Sequence, residues 1–233
     1  MNKENELQYY LSVFPNKYGI YLFDTRNLTS LYKEEIILNN DTNYQNHDEL
    51  KKFLDDNIFK IEKLSGKFIE NIFLILEDKK IFNLEIGIKK KNYNISVTKE
   101  YLENSLVEAK DLFRESYHNQ EIIHMIVNKY FINDKAQLLF EENLKCENFA
   151  LEVNFKSISN DIIYDLNKIL ENYQIKISKY LDGSYVQKNF KNDIELSEMS
   201  YRISCGHNRN EVMFLPKNTK KLAFFEKFFQ LFS

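Results

Sequence analysis

The sequence predicts a mixed fold, α+β with the strand-and-helix alternation of an α/β protein. Runs of strand length and strand composition recur along the chain, separated by turn residues. Between them lie longer stretches with helical apolar spacing, each preceded by a capping residue at Asn46, Thr98 or Ser159. Hydrophobic residues make up 43% of the 233 residues and aromatics 15%, enough to bury a sizeable core and to exclude intrinsic disorder.

Residues 9–14, 18–23 and 28–38 read as the three strands of a meander, with Pro15-Asn16 and the residues from Asp24 to Asn27 as its turns. Asn46 and Glu49 have the spacing of a capping box. The helix behind them runs to about Lys63 with Leu50, Leu54, Ile58 and Ile61 on one face, and Gly66 ends it. The continuous apolar run 71–76 suits a strand buried on both faces. Residues 81–88 alternate as a strand that extends towards Val97. Thr98 caps a helix to about Tyr117, with Leu102, Leu106, Ala109 and Phe113 as its buried stripe. Strands are expected over 121–132 and 148–155. Ser159 caps a helix that aligns Ile162, Ile163, Leu166, Ile169 and Tyr173. A strand over 175–180 then meets a turn at Asp182-Gly183. Residues 184–206 are weakly helical, 211–215 extended, and 216–219 a hinge.

The last dozen residues are the most distinctive. At about 100° per residue, Leu222, Phe224, Phe225, Phe228, Phe229, Leu231 and Phe232 share one half of a helix. Ala223, Glu226, Lys227, Gln230 and Lys220 occupy the other half, and Lys221 snorkels at the end. Five phenylalanines on such a face need a cover. That cover is either a membrane interface, which Lys217, Lys220, Lys221 and Lys227 would favour if anionic, or the protein's own core.

Composition excludes several function classes. Net charge is −3, with Lys+Arg 32 against Asp+Glu 35, so no global basic field draws nucleic acid. The five glycines leave little for a phosphate-cradling loop. Cys146 and Cys205 are too few for a disulfide framework or a zinc cage and fit a reducing compartment. The polar start, Met1 to Gln8, does not read as a signal peptide, and no apolar run reaches the ~20 residues of a spanning helix. A cytoplasmic protein attached at most to a membrane surface is expected.

No local pattern announces catalysis. Cys205 and His207 lack two further grouped ligands and read as a turn, without metal. His124 sits within an apolar strand and reads as a satisfied core histidine. The run Lys89-Lys90-Lys91-Asn92-Tyr93 reads as a hairpin tip or an edge-strand guard. Carboxylates such as Asp55, Asp56 and Glu62 belong to solvated helix faces.

The order of elements, together with two local phrases, resembles the bacterial cell division protein FtsA. Residues 121–134 (EIIHMIVNKYFIND) look like the family's e-I-L-H-x-I-P-x-x-Y-x-V-D-G, with Val127 in place of proline and no final glycine. Residues 142–153 (ENLKCENFALEV) look like its N-P-x-G-x-x-G-x-x-L-E-V. The likeness covers about residues 9–180 plus the tail, since the family also ends in an amphipathic membrane-targeting helix. It implies an actin-like, RNase H-like core with a strand-helix-strand-strand insertion domain.

The departures bear on function. The family's first phosphate loop reads Leu/Ile-Asp-Ile/Leu-Gly-Ser/Thr-Ser/Thr-Lys, against Leu11-Ser12-Val13-Phe14-Pro15-Asn16-Lys17 here. Ser12 replaces the metal-coordinating Asp and Phe14 replaces the Gly, while Lys17 remains. Phe14 would block backbone N–H groups from phosphate, and Pro15 removes one of them. After Tyr180 about 35 residues precede the tail, too few for the second ATPase half. The expectation is a truncated actin-like half-domain over residues 1–77 and 157–215, an insertion domain over 78–156, and a linker with a membrane-targeting helix over 216–233. No nucleotide, metal or other cofactor is expected. The resemblance implies an adaptor at the inner face of the membrane at the division site, with divisome partners on the insertion domain and self-association. FtsZ is a candidate partner, although the family's FtsZ-binding surface lies mostly in the half without a counterpart here. Two alternatives stand beside this reading: a pilus or envelope scaffold similar to PilM, and a small enzyme with an unrecognised site.

Overall fold

The computed structural model describes residues 6–38, 47–190 and 194–213. In chain order the elements are β1 (Leu7–Phe14), β2 (Lys17–Asp24), β3 (Thr29–Ile37), α1 (His47–Ser65), β4 (Asn71–Leu76), β5 (Phe82–Val97) and α2 (Lys99–Ser116). They continue with β6 (Gln120–Ile132), β7 (Lys135–Gln137), β8 (Leu144–Ser159), α3 (Asn160–Glu171), β9 (Lys176–Asp182), α4 (Gly183–Lys188) and α5 (Leu196–Ser204). The chain divides into two compact units. The first holds the described residues up to Ile81 and again Ile158–His207; the second holds Phe82–Ser157 and the described residues from Asn208 onward.

The first unit is built on a five-stranded sheet in the order β3-β2-β1-β4-β9. β1 and β2 pair antiparallel from Leu7↔Asp24 to Phe14↔Lys17, leaving Pro15 and Asn16 as the expected tight turn. Asp24 closes the next turn, its carboxylate accepting the N–H of Arg26 at 2.8 Å and of Asn27 at 3.2 Å. β4 runs parallel to both β1 and β9. Parallel neighbours need crossovers, and α1 and α3 lie in the connections that lead into β4 and β9. An antiparallel meander that continues into parallel strands in this order is the RNase H-like arrangement on which actin-like proteins are built. The fold class expected from sequence is therefore present.

Both faces of this sheet are covered. Tyr18 of β2 meets Phe53 of α1 with ring centroids 6.2 Å apart, and Phe23, on the other face of the same strand, meets Tyr201 of α5 at 5.5 Å. Leu74, Ile75 and Leu76 are fully buried, as a strand covered on two sides requires. α1 buries Leu50, Leu54, Ile58 and Ile61 as expected and ends at Gly66, whose φ of 71° suits a helix-terminating glycine. Its proposed cap, Asn46, lies outside the described residues.

The second unit is a four-stranded sheet in the order β5-β8-β6-β7. Leu102, Leu106, Ala109 and Phe113 of α2 join Met125, Val127, Phe149, Leu151, Val153 and Phe155 of the sheet in one core. Phe113 stacks on Phe155 with centroids 5.0 Å apart. Thr98 caps α2 by accepting the N–H of Tyr101. β7 was not anticipated. It pairs with β6 through a tight turn at Asn133-Asp134, both with positive φ.

One sequence expectation is corrected and another is sharpened. Asp182-Gly183 does not turn the chain away from β9: Asp182 caps α4, accepting the N–H of Ser184 at 3.0 Å. The weakly helical stretch resolves into two helices, α4 and α5. Residues 208–213 lie along β6. Val127 donates to the Asn210 carbonyl and Val212 to the Met125 carbonyl, both at 2.8 Å, around an antiparallel bridge between Ile126 and Glu211.

Candidate functional site

In sheets with parallel strands, ligands bind outside the carboxyl ends of those strands. Here those ends are Phe14 of β1, Leu76 of β4 and Asp182 of β9, and the segment Leu11–Lys17 compared above with a phosphate loop falls among them. Phe14 is buried, with its ring above Gly183. A Cβ on Gly183 would lie 2.8 Å from Phe14 Cε1 and 3.3 Å from the Leu76 carbonyl, so glycine is required for this fit. At this strand end an aromatic ring is seated on backbone. Glu77 and Ser184 flank it, the Ser184 hydroxyl lying 3.4 Å from Glu77 Oε1.

Ser12, where the family pattern has its metal-coordinating acid, is fully buried in β1. Its hydroxyl lies 3.4 Å from the Gly19 carbonyl and 3.5 Å from the Tyr21 hydroxyl. A Cβ on Gly19 would come within 2.6 Å of Ser12 Oγ and 2.5 Å of Tyr21 Oη, so this cluster closes only around a glycine. Lys17, the polar loop residue that matches the pattern, is engaged elsewhere. Its ammonium lies 3.0 Å from Glu35 Oε1 and 5.8 Å from the Phe14 ring centroid. The Tyr21 hydroxyl donates to the same Glu35 oxygen at 2.6 Å. Burial opposes the charge on Glu35, but the bonds from Tyr21 and Lys17 outweigh it and hold the carboxyl below its ordinary value. The cluster thus links β1, β2 and β3 with its donors and acceptors turned on one another.

A cavity of about 780 Å³ lies at the opposite end of the sheet, where β1, β4 and β9 begin. Leu7, Tyr9, Lys67, Phe68, Glu70 and Ser178 are among its lining residues, and Glu70 is the one carboxylate among the described lining. With one carboxylate, the described lining holds no acid pair of the kind glycoside hydrolysis uses.

The remaining sequence candidates are dispersed. His124 is buried, its Nδ1 2.7 Å from Glu211 Oε1. The core-histidine reading therefore holds, and its partner sits 87 residues away, beyond any local pattern. Cys205 ends α5, and the His207 ring stacks on Phe190 with centroids 4.5 Å apart. Among the described residues, no group of three or more His, Cys, Asp or Glu is placed to hold a metal ion. Lys89, Lys90 and Lys91 lie on β5, an outer strand, as an edge guard would. Lys89 pairs with Asp134 at 2.9 Å and Lys90 with Glu108 at 2.5 Å. Leu222, Phe224, Phe225, Phe228, Phe229, Leu231 and Phe232 lie outside the described residues. No described helix is long and apolar enough to cross a membrane.

Sequence reasoning did not assign roles to Gly19, Tyr21 or Glu35, and it read Gly183 as part of a turn. A signal existed for the glycines. In a chain with five of them, one inside a strand run and one at a strand end mark close approaches.

No known protein family and no curated protein matches the chain. Solved structures do. Over 77% of its length the chain is similar to the cytoplasmic domain of EpsL, an inner membrane component of the type II secretion system of Vibrio cholerae (4% identity, TM-score 0.39, 58% of that chain). Over 77% it is similar to a chain of the PilM–PilN type IV pilus biogenesis complex (8% identity, TM-score 0.45, 48% of that chain). Over 80% it is similar to a Bacteroides thetaiotaomicron protein of actin-like ATPase fold (14% identity, TM-score 0.32, 56% of that chain). The chain thus spans about half the length of these solved chains. At these identities and scores the likenesses assign no role.

Proposed function

We propose that this chain is a non-catalytic, FtsA-like adaptor that attaches cell division components to the cytoplasmic face of the membrane. The observation that carries the non-catalytic part is the seat of the Phe14 ring on Gly183, at the strand ends where the family holds its first phosphate loop. Ser12 in place of a carboxylate and Lys17 committed to Glu35 point the same way. Without nucleotide to bind, the first unit acts as a scaffold. The second unit, in the position of the family's insertion domain, carries the protein partners.

The attachment itself rests on the tail. Burying a phenylalanine is worth about 1.5–3 kcal/mol, so partial insertion of four or five exceeds the cost of ordering a short helix. One such helix binds weakly and reversibly, and self-association would make attachment firm. The test is the position of a tagged copy in dividing cells. A band at the division site that disperses in the Phe225→Glu/Phe228→Glu variant is the expected result. Localisation with pilus machinery instead would replace the division role with that of a PilM-like scaffold. Uniform cytoplasmic signal would refute both.

A further inference from the structure

The chain leaves the described structure from the second unit. Residues 208–213 lie along β6, fixed by the two backbone hydrogen bonds at Val127 and Val212 and by the buried contact of His124 with Glu211. Beside this segment lies an apolar projection. The Asn210 side-chain amide donates to the Leu138 carbonyl at 3.0 Å. Leu138 is 70% exposed and Leu139 48%. The next residue, Phe140, is buried against Tyr130 with ring centroids 5.8 Å apart, so the two leucines are presented from a fixed base. Arg209 is exposed next to Asn210.

Resting on the reading that the tail binds membrane, we propose that Leu138 and Leu139 form a second lipid contact, so that this edge of the second unit faces the bilayer. Two observations choose lipid as the occupant. The eight residues 214–221 reach at most about 28 Å when extended, so a membrane-bound tail keeps this edge close to the same surface. Two leucines are also too small a patch to cover the tail's seven apolar side chains, whereas a bilayer receives both. Arg209 adds an exposed cation beside Asn210, suited to an anionic headgroup layer. Since one amphipathic helix alone gives marginal attachment, a second contact both strengthens binding and sets the orientation of the protein on the surface.

The test is sedimentation of the full chain with vesicles of equimolar phosphatidylglycerol and phosphatidylcholine. Leu138→Asp/Leu139→Asp should lower the bound fraction's affinity about tenfold with unchanged thermal unfolding, and Phe225→Glu/Phe228→Glu should abolish binding. If wild type binds, the tail variant does not, and the leucine variant binds like wild type, the membrane reading stands and this inference falls. Tighter binding by the leucine variant would mean that the leucines cover the tail. A wild-type dimer lost in that variant would mean that they face a second copy. Either result overturns the proposal, and failure of wild type to bind overturns the membrane reading with it. The chain contains no tryptophan, so Leu138→Trp supplies an independent probe. Its emission should shift to the blue and be quenched by brominated lipid, and unquenched emission on bound protein contradicts the contact.

Discussion

β1 in the first unit buries six consecutive residues, Tyr9 to Phe14, whereas β8 in the second alternates buried and partly exposed positions through most of its length. The first pattern belongs to a strand covered on both faces, the second to a strand with one face on a core. Function follows the difference. A sheet covered on both faces meets ligands at its strand ends, and in the first unit that end holds Phe14 against Gly183. The second unit keeps partly open side chains along its strands and carries the segment that leads into the tail. Side chains pack on one another at the strand end of one unit, while partly open positions run along the strands of the other.

The largest effect that would break this comparison is expected at Ser12. Ser12→Asp introduces the acid of the pattern it was compared with and places a carboxylate at a fully buried position beside the Gly19 carbonyl. It should cost about 3–5 kcal/mol, the penalty of an uncompensated buried charge, measured by urea unfolding. A neutral outcome would mean that the crevice is wetter than its packing implies. Next is Phe14→Ala, which empties the space above Gly183 and should cost about 3 kcal/mol without creating nucleotide affinity, because Pro15 and the missing carboxylate remain. The matching probe in the second unit is smaller. Thr98→Ala removes the cap of α2 and should cost about 1 kcal/mol by thermal unfolding.

How much of this was legible depended on whether the determinant was local. The tight turn at Pro15-Asn16, the Thr98 and Ser159 caps and the apolar run 71–76 were readable because each is decided by adjacent residues. β7 was missed because a three-residue strand has too little periodicity to register. The pairing of residues 208–213 with β6, and His124 with Glu211, depends on contacts across more than eighty positions. At the candidate site, the substitutions Ser12, Phe14 and Pro15 were visible. The glycines that let those side chains close the crevice acquire meaning once the register puts Gly19 opposite Ser12 and the fold puts Gly183 under Phe14.

The smallest effect separates the polar cluster from the apolar plug. The Glu35 carboxyl titrates below its ordinary value of 4.5, so its contribution to stability is complete above that pH and is lost as pH falls through the lower folded value. Glu35→Gln should flatten the acid limb of the stability curve and leave the neutral region nearly unchanged, since the group is partly solvated and screened. An unchanged acid limb would mean that the cluster does not hold the carboxylate in solution.

As proposed, the strand end at Phe14 is closed to nucleotide. Isothermal calorimetry of the full chain with Mg-ATP measures this directly. The prediction is no binding heat at concentrations where an actin-like ATPase would saturate. Micromolar binding would contradict the closed crevice and return the chain to the nucleotide-dependent members of its fold.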